Sequence, residues 1–311
     1  MAFYDIINYF YDSNSKFNRI TLGFKSPTFI KWRITDFILI IVLIILFFVT
    51  SQAEPFHRQF YLNDITIQHP FAEHERVNNV QLFLYSTVIP LGIIIIIGLI
   101  TTFPVKYKLY NTWVSIIGLL LSVLITSFVT NIVKNWFGRL RPDFLDRCQP
   151  ANDTPKDKLV SIEVCTTKDL NRLADGYRTT PSGHSSISFA GLFYLSLFLL
   201  GQLQANNYKT SSWRTMISFI PWLMACLIAL SRTQDYRHHF IDVFVGSCLG
   251  LIIAIWQYFR LFPWFGFGGN NGGGGDDSFN NRIMIEEIKK NQELKQDENN
   301  YRRISDVSNN V

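Results

Sequence analysis

The feature that most limits what this chain can become is the absence of charge from six long stretches of it. Between Asp36 and Glu54 lie 17 residues with no charged side chain, and between Arg76 and Lys106 lie 29. Lys108 and Lys134 enclose 25, His184 and Lys209 enclose 24, Arg214 and Arg232 enclose 17, and Asp242 and Arg260 enclose another 17. The centres are nearly unbroken hydrocarbon, as in FILIIVLIILFFV at 37–49 and LGIIIIIGLI at 91–100. A helix needs about 20 mostly apolar residues to cross ~30 Å of hydrocarbon, and about 17 suffice at the short end. One such gap is compatible with a buried helix of a soluble protein. Six of them in 311 residues leave too little polar surface to clothe a soluble fold. The chain is therefore expected to be an all-α integral membrane protein with six transmembrane helices, because in lipid each span must satisfy its backbone hydrogen bonds internally.

Three regions follow: a cytosolic N-terminal segment at 1–36, a six-span domain at 37–260, and a polar, disordered cytosolic tail at 261–311. Ser-Gln-Ala at 51–53 resembles a leader cleavage site, but the 36 residues before the apolar run are too many for an ordinary leader, so the first segment reads as a retained span. The N-terminal 36 residues carry five Lys and Arg, against two in the loop at 54–79, which places the N-terminus in the cytosol. The loop at 134–184 is then luminal or extracellular despite its nine basic residues. It also holds the sequon Asn152-Asp-Thr154, a possible N-glycosylation site, and two cysteines, Cys148 and Cys165, able to form a disulfide in an oxidising compartment. The formal charge of +5 is spread along the chain rather than gathered into a basic stripe with interleaved aromatics, so nucleic acid is not an expected partner.

The chemistry-bearing residues cluster at span ends. Lys134 and Arg141, seven apart in KNWFGRLRP, would share a face if the third helix continued to Pro142. Thr180-Pro-Ser182-Gly183-His184-Ser185 opens the fourth span, where a glycine and the free amides of a helix start make a seat for phosphate. Ser231-Arg232 and His238-His239-Phe-Ile-Asp242 join the last two spans. His238 and Asp242, four apart at a helix start, would let the carboxylate accept the imidazole Nδ1–H and leave Nε2 free to attack; His239 at i,i+3 is the competing partner. An even number of crossings separates the loops, so all three clusters lie on one side of the membrane. Three cations, a hydroxyl, a helix start and two histidines match what a phosphate dianion and its in-line displacement require.

KNWFGRLRP, PSGH and SRTQDYRHHFID together resemble the three-part signature of the type-2 phosphatidic acid phosphatase superfamily: Lys-X6-Arg-Pro, Pro-Ser-Gly-His and Ser-Arg-X5-His-X3-Asp. RQFYLNDITIQHPFAEHERV and GRLRPDFLDRCQP resemble the fungal diacylglycerol pyrophosphate phosphatases in particular. The resemblance implies His238 as nucleophile, Asp242 as the group that orients it, and His184 as the acid that protonates the departing oxygen. It implies phosphate binding by Lys134, Arg141, Arg232, Ser182 and Gly183. No cofactor and no divalent metal is implied, and the chain has no Asp-X-Asp-X-Thr motif of the magnesium-dependent phosphatases.

The expected activity is removal of the β-phosphate of diacylglycerol pyrophosphate, then conversion of phosphatidate to diacylglycerol. The partner is a phospholipid in the bilayer, met by a pocket at the luminal or extracellular membrane boundary. The resemblance points to the vacuolar membrane with the site facing the lumen. Lysophosphatidate or sphingoid-base phosphate are competing substrates, and a catalytically silent phospholipid-binding scaffold is the alternative of another class. A transporter would place ionisable residues deep within spans, and the six gaps contain none.

Overall fold

The computed structural model describes residues 33–102, 108–205 and 210–262, together with Gln296. The segment expected to be cytosolic at 1–36 and the polar tail from 261 lie almost entirely outside the described residues. Among residues 33–262 that are described, the helices longer than a single 3-10 turn are, in chain order, α1 (Ile34–Gln52), α2 (Asn79–Thr101), α3 (Lys108–Phe137), α4 (Phe144–Cys148), α5 (Leu170–Gly176), α6 (Gly183–Gln202), α7 (Ser212–Gln234) and α8 (Phe240–Leu261). All except the short α4 and α5 are long and apolar enough to cross a membrane, and each coincides with one of the six charge gaps. No strand occurs among the described residues, only two isolated bridges, Phe60 with Val160 and Pro150 with Cys165.

Helix α3 is the hub, with α1, α2 and α8 packed along it. Its buried Val114 and Leu119 join Ile94 of α2, Tyr194 and Phe198 of α6, and Ala254 and Tyr258 of α8 in one core. Helix α1 behaves differently: most of its side chains are exposed, and it touches the bundle through Ile40 and Leu43 against Ile117 and Leu121. Such an outward apolar face is what lipid, rather than water, covers.

The decisive contact for function is between α6 and α8. A Cβ on Gly246 would stand 2.6 Å from the Ser182 carbonyl oxygen, and one on Gly250 would stand 2.2 Å from that of Ser186. Two glycines one turn apart thus let the helices touch backbone to backbone, as small residues do between membrane spans. The Ser182 amide completes the junction by donating to the Asp242 carbonyl at 3.0 Å. The start of α6 and the start of α8, which carry the second and third clusters, are held side by side.

Beyond the membrane ends of these helices, the loops at 53–78 and 138–182 form a small cap with its own core of Phe60, Ile67, Leu140, Phe144, Leu173 and Tyr177. Phe60 and Val160 exchange backbone hydrogen bonds of 3.1 and 2.9 Å. Cys148 and Cys165 are joined in a disulfide with a Cα–Cα distance of 4.7 Å, and Asn152 is exposed on the same cap.

Gly250→Val should prevent the α6–α8 approach. Overpacking of this kind costs about 1–3 kcal/mol, more where backbone is struck. The expected result is a fall of several degrees in the melting temperature of the detergent-solubilised protein, with Gly92→Ala, where a Cβ meets nothing within 4 Å, as the unaffected control.

Candidate active site

A cavity of about 500 Å³ opens where α3 and α7 end and α6 and α8 begin, beneath the cap. Its polar end is lined by Lys134, Arg141, Arg178, His184, Arg232 and His238, with Glu75 and Asp175 among them. The opposite end runs between spans past Phe47 of α1, Leu82 and Phe83 of α2, Leu124 of α3 and Ile187 of α6. The void therefore joins a cationic pocket at the helix ends to an apolar slot between helices.

Lys134 and Arg141 both reach the cavity, but not along one helical face. Helix α3 stops at Phe137, short of the exit expected at Pro142, because Gly138 turns into the left-handed region (φ 55°) and its amide closes on the Lys134 carbonyl at 3.2 Å. This is a glycine helix stop, and it precedes the proline that was expected to end the helix. Arg141 arrives instead through the loop, its amide bonded to the Gly176 carbonyl at 2.9 Å and its Nη2 to Asp175 at 2.7 Å. Asp175 also receives Arg147 at 3.0 Å. Burial alone would raise the Asp175 carboxyl, but Arg141, Arg147 and Lys134 outweigh it and hold the group well below the usual carboxylate range.

Arg232, at the last turn of α7, is buried and held by Glu75 at 3.0 Å and Asp235 at 3.5 Å. Its Nη1 also donates to the Val77 carbonyl at 3.1 Å, while its Nε–H has no acceptor. The same Val77 carbonyl takes the Nε2–H of His184 at 3.0 Å. A carbonyl only accepts, so Nε2 carries the hydrogen and Nδ1 is the nitrogen left to exchange a proton with a ligand. Gly183 brings the start of α6 close to Lys134: a Cβ there would stand 3.3 Å from Nζ. Ser182 is not among the lining residues. It is fully buried as the N-cap of α6, its hydroxyl facing the Ser185 amide.

The direct bond expected between His238 and Asp242 is not formed. The i,i+4 argument needs a helix that includes residue 238, and α8 begins only at Phe240, with His239 as its cap. Asp242 folds back on that cap, accepting from the His239 amide at 2.8 Å and lying 3.1 Å from His239 Nδ1. It also pairs with Arg139 at 3.1 Å and accepts from the hydroxyls of Thr179 and Thr180. His238 reaches it only through Thr179, whose Oγ is 3.1 Å from His238 Nδ1 and 2.8 Å from Asp242 Oδ2.

Arg139, Thr179, Glu75, Asp175 and Arg178 were not singled out in the sequence, and Thr180 entered only as the first residue of the second cluster. The two threonines directly before Pro-Ser-Gly-His and the extra arginine inside Lys-X6-Arg-Pro carried the only available hint: polar groups pressed against the signature from within.

Burial first, and then the charges of Arg141, Lys134 and Arg232, push the His238 imidazole well below its ordinary value of 6.5. The folded protein holds this ring neutral, whereas the unfolded chain protonates it near pH 6.5. Its contribution to stability is therefore complete above that pH and is lost as pH falls below it. In thermal melts, the decline in melting temperature between pH 6.5 and about 5 should be shallower for His238→Gln than for the wild type.

Residues 115–264 match the PAP2 superfamily. The chain is 53% identical over 249 residues to Diacylglycerol pyrophosphate phosphatase 1 of Saccharomyces cerevisiae, covering 79% of this chain and 86% of that protein. It is 41% identical over 235 residues to Probable diacylglycerol pyrophosphate phosphatase 1 of Schizosaccharomyces pombe (75% and 82% covered). It is 32% identical over 251 residues to Lipid phosphate phosphatase 2 of Arabidopsis thaliana (78% and 82% covered). No solved structure matches the chain. With Lys134, Arg141, Gly183, His184, Arg232 and His238 of the signature gathered at one cavity, and relatives of this identity matched over most of their own length, the chain belongs to the PAP2 superfamily.

Proposed function

We propose that this protein is a lipid phosphatase that removes the β-phosphate of diacylglycerol pyrophosphate to give phosphatidate, and converts phosphatidate to diacylglycerol, without a divalent metal and through a phosphohistidine. The observation that carries this reading is the single cavity whose cationic end holds both histidines and whose other end is an apolar slot between spans. A diacyl lipid has that same division. The names of the two fungal relatives support the substrate.

In this reading His238 Nε2 attacks the terminal phosphorus, the Nε2–P bond forms, and the bond from phosphorus to the bridging oxygen breaks. His184, doubly protonated once the phosphate dianion is bound beside it, delivers the proton on Nδ1 to the departing oxygen while the Val77 carbonyl keeps its Nε2–H fixed. Water then attacks the phosphohistidine, with His184 Nδ1 accepting its proton, and phosphate leaves. Lys134, Arg141, Arg232 and the first-turn amides of α6 balance the charge that develops on the phosphoryl oxygens. The protein acts at headgroup level in the vacuolar membrane, with the cavity facing the lumen.

A pyrophosphate headgroup brings a second anionic group, and Arg178 suits it. Arg141 and Arg232 each pair with carboxylates; Arg178 is the one guanidinium lining the cavity that, among the described residues, has no carboxylate partner. It donates only to the Ala53 carbonyl at the end of α1, and its Nε–H is buried without an acceptor.

Two measurements test the reading. Purified protein in excess EDTA should release phosphate from diacylglycerol pyrophosphate and from phosphatidate in mixed micelles, with His238→Ala reduced to background. Release that depends on added magnesium, or that survives in the variant, would overturn the mechanism. No release by a folded wild type would favour a lipid-binding scaffold. Arg178→Gln should raise the KM for the pyrophosphate lipid by about 10-fold, the scale of one charge-assisted contact, and that for phosphatidate by much less.

A further inference from the structure

We propose that Thr179 is the positioning residue for His238, a hydroxyl relay through which Asp242 selects the reactive tautomer without touching the nucleophile. The inference rests on the phosphatase reading above and adds to it a residue outside the three-part signature.

The argument is a count of hydrogens. A threonine hydroxyl has one hydrogen to donate, and an ionised carboxylate can only accept. Thr179 Oγ stands 2.8 Å from Asp242 Oδ2, so its hydrogen must lie on that line; the opposite arrangement would set two oxygen lone pairs against each other at hydrogen-bond distance. What remains on Oγ is a lone pair, and 3.1 Å away is His238 Nδ1. Nδ1 therefore carries the ring hydrogen, and Nε2 presents the lone pair.

Asp242 is committed elsewhere. Its two oxygens serve the His239 amide, His239 Nδ1, Arg139 and Thr180, and His238 lies outside α8 with its own amide on the Arg232 carbonyl at 3.3 Å. The relay itself is rigid. Thr179 is fully buried, and its amide is tied to the Arg139 carbonyl at 3.2 Å, in the loop that delivers Arg141. One loop thus sets both the cation that meets the phosphate and the hydroxyl that turns the nucleophile.

The chemical consequence is specific. When Nε2 takes the phosphoryl group, the ring becomes cationic with its hydrogen still on Nδ1. Thr179 accepts from that N–H and, being polarised by Asp242, stabilises the cation. No proton moves along the relay, and the one needed by the leaving oxygen still comes from His184.

The test compares wild type, Thr179→Val and Thr179→Ser as full-length purified proteins, using phosphate release from diacylglycerol pyrophosphate micelles in EDTA. Valine keeps the shape and removes the hydroxyl; serine keeps the hydroxyl. We expect kcat to fall about 100-fold in the valine variant with KM within a few-fold, the scale of a lost group in general acid–base positioning. Serine should return kcat to within several-fold of wild type. The acid limb of the pH–kcat profile should move in the valine variant and not in the serine variant, because only the former frees the tautomer. Should valine fail to fold by thermal melt and gel filtration, Thr179→Ala provides the second hydroxyl-free arm. A folded hydroxyl-free variant with wild-type kcat would overturn the relay while leaving the phosphatase reading intact. Serine as inactive as valine would also overturn it, since the hydroxyl would then not be what matters. Absence of release by wild type would overturn both.

Discussion

Everything at the functional end of this molecule depends on keeping several buried cations close together in one pocket. Unpaired, such charges would be prohibitive to bury, and mutual repulsion would add to the cost. The structure interleaves them with carboxylates supplied by different loops. Asp175 lies between Arg141 and Arg147; Glu75 lies between Arg232 and Arg237, at 3.0 and 2.6 Å. Asp143 holds Arg147 through two bonds of 2.9 Å, with both side chains buried. With Arg237 also 3.8 Å from Asp143, these pairs join the loop at 53–78, the loop at 138–182 and the turn after α7. The network that makes the pocket affordable is therefore the one that makes it a pocket.

Neutralisation is incomplete in a useful way. Arg141 and Arg232 line the cavity while paired, Arg178 has no carboxylate partner among the described residues, and Gly183 leaves the start of α6 open toward Lys134. A tetrahedral dianion entering here meets donors whose positions are already fixed, so little reorganisation is needed when charge shifts during reaction. Glu75 itself lines the cavity and pairs with Arg232 at 3.0 Å.

The structure departs from the helical reading of the sequence at two places, and both concern how a signature residue arrives at the pocket. Arg141 was expected on a continuing α3; Gly138 ends the helix first, and the arginine comes by a loop fastened to α5. His238 was expected inside α8; the helix starts two residues later, and His239 takes the carboxylate that the spacing offered to both. Residue spacing implies contact only where the intervening backbone is helical, and helix ends are where one residue of error turns a side chain by about 100°.

What the sequence determined by itself was the number and placement of the spans, since six uncharged stretches of 17 to 29 residues leave too little polar surface for a soluble fold. It also determined that the three charged clusters share one membrane face, since that follows from counting crossings. What only the tertiary structure decided was which groups meet. The Cys148–Cys165 bond, the pairing of Glu75 with two arginines from α7 and its turn, and the seat of Thr179 between His238 and Asp242 join residues 17 to 162 positions apart. Hydrophobicity is a property of a segment and survives in one dimension. Hydrogen bonds and ion pairs are short-ranged and directional, so their partners exist only once α6 and α8 have closed on each other and the cap has folded over their ends.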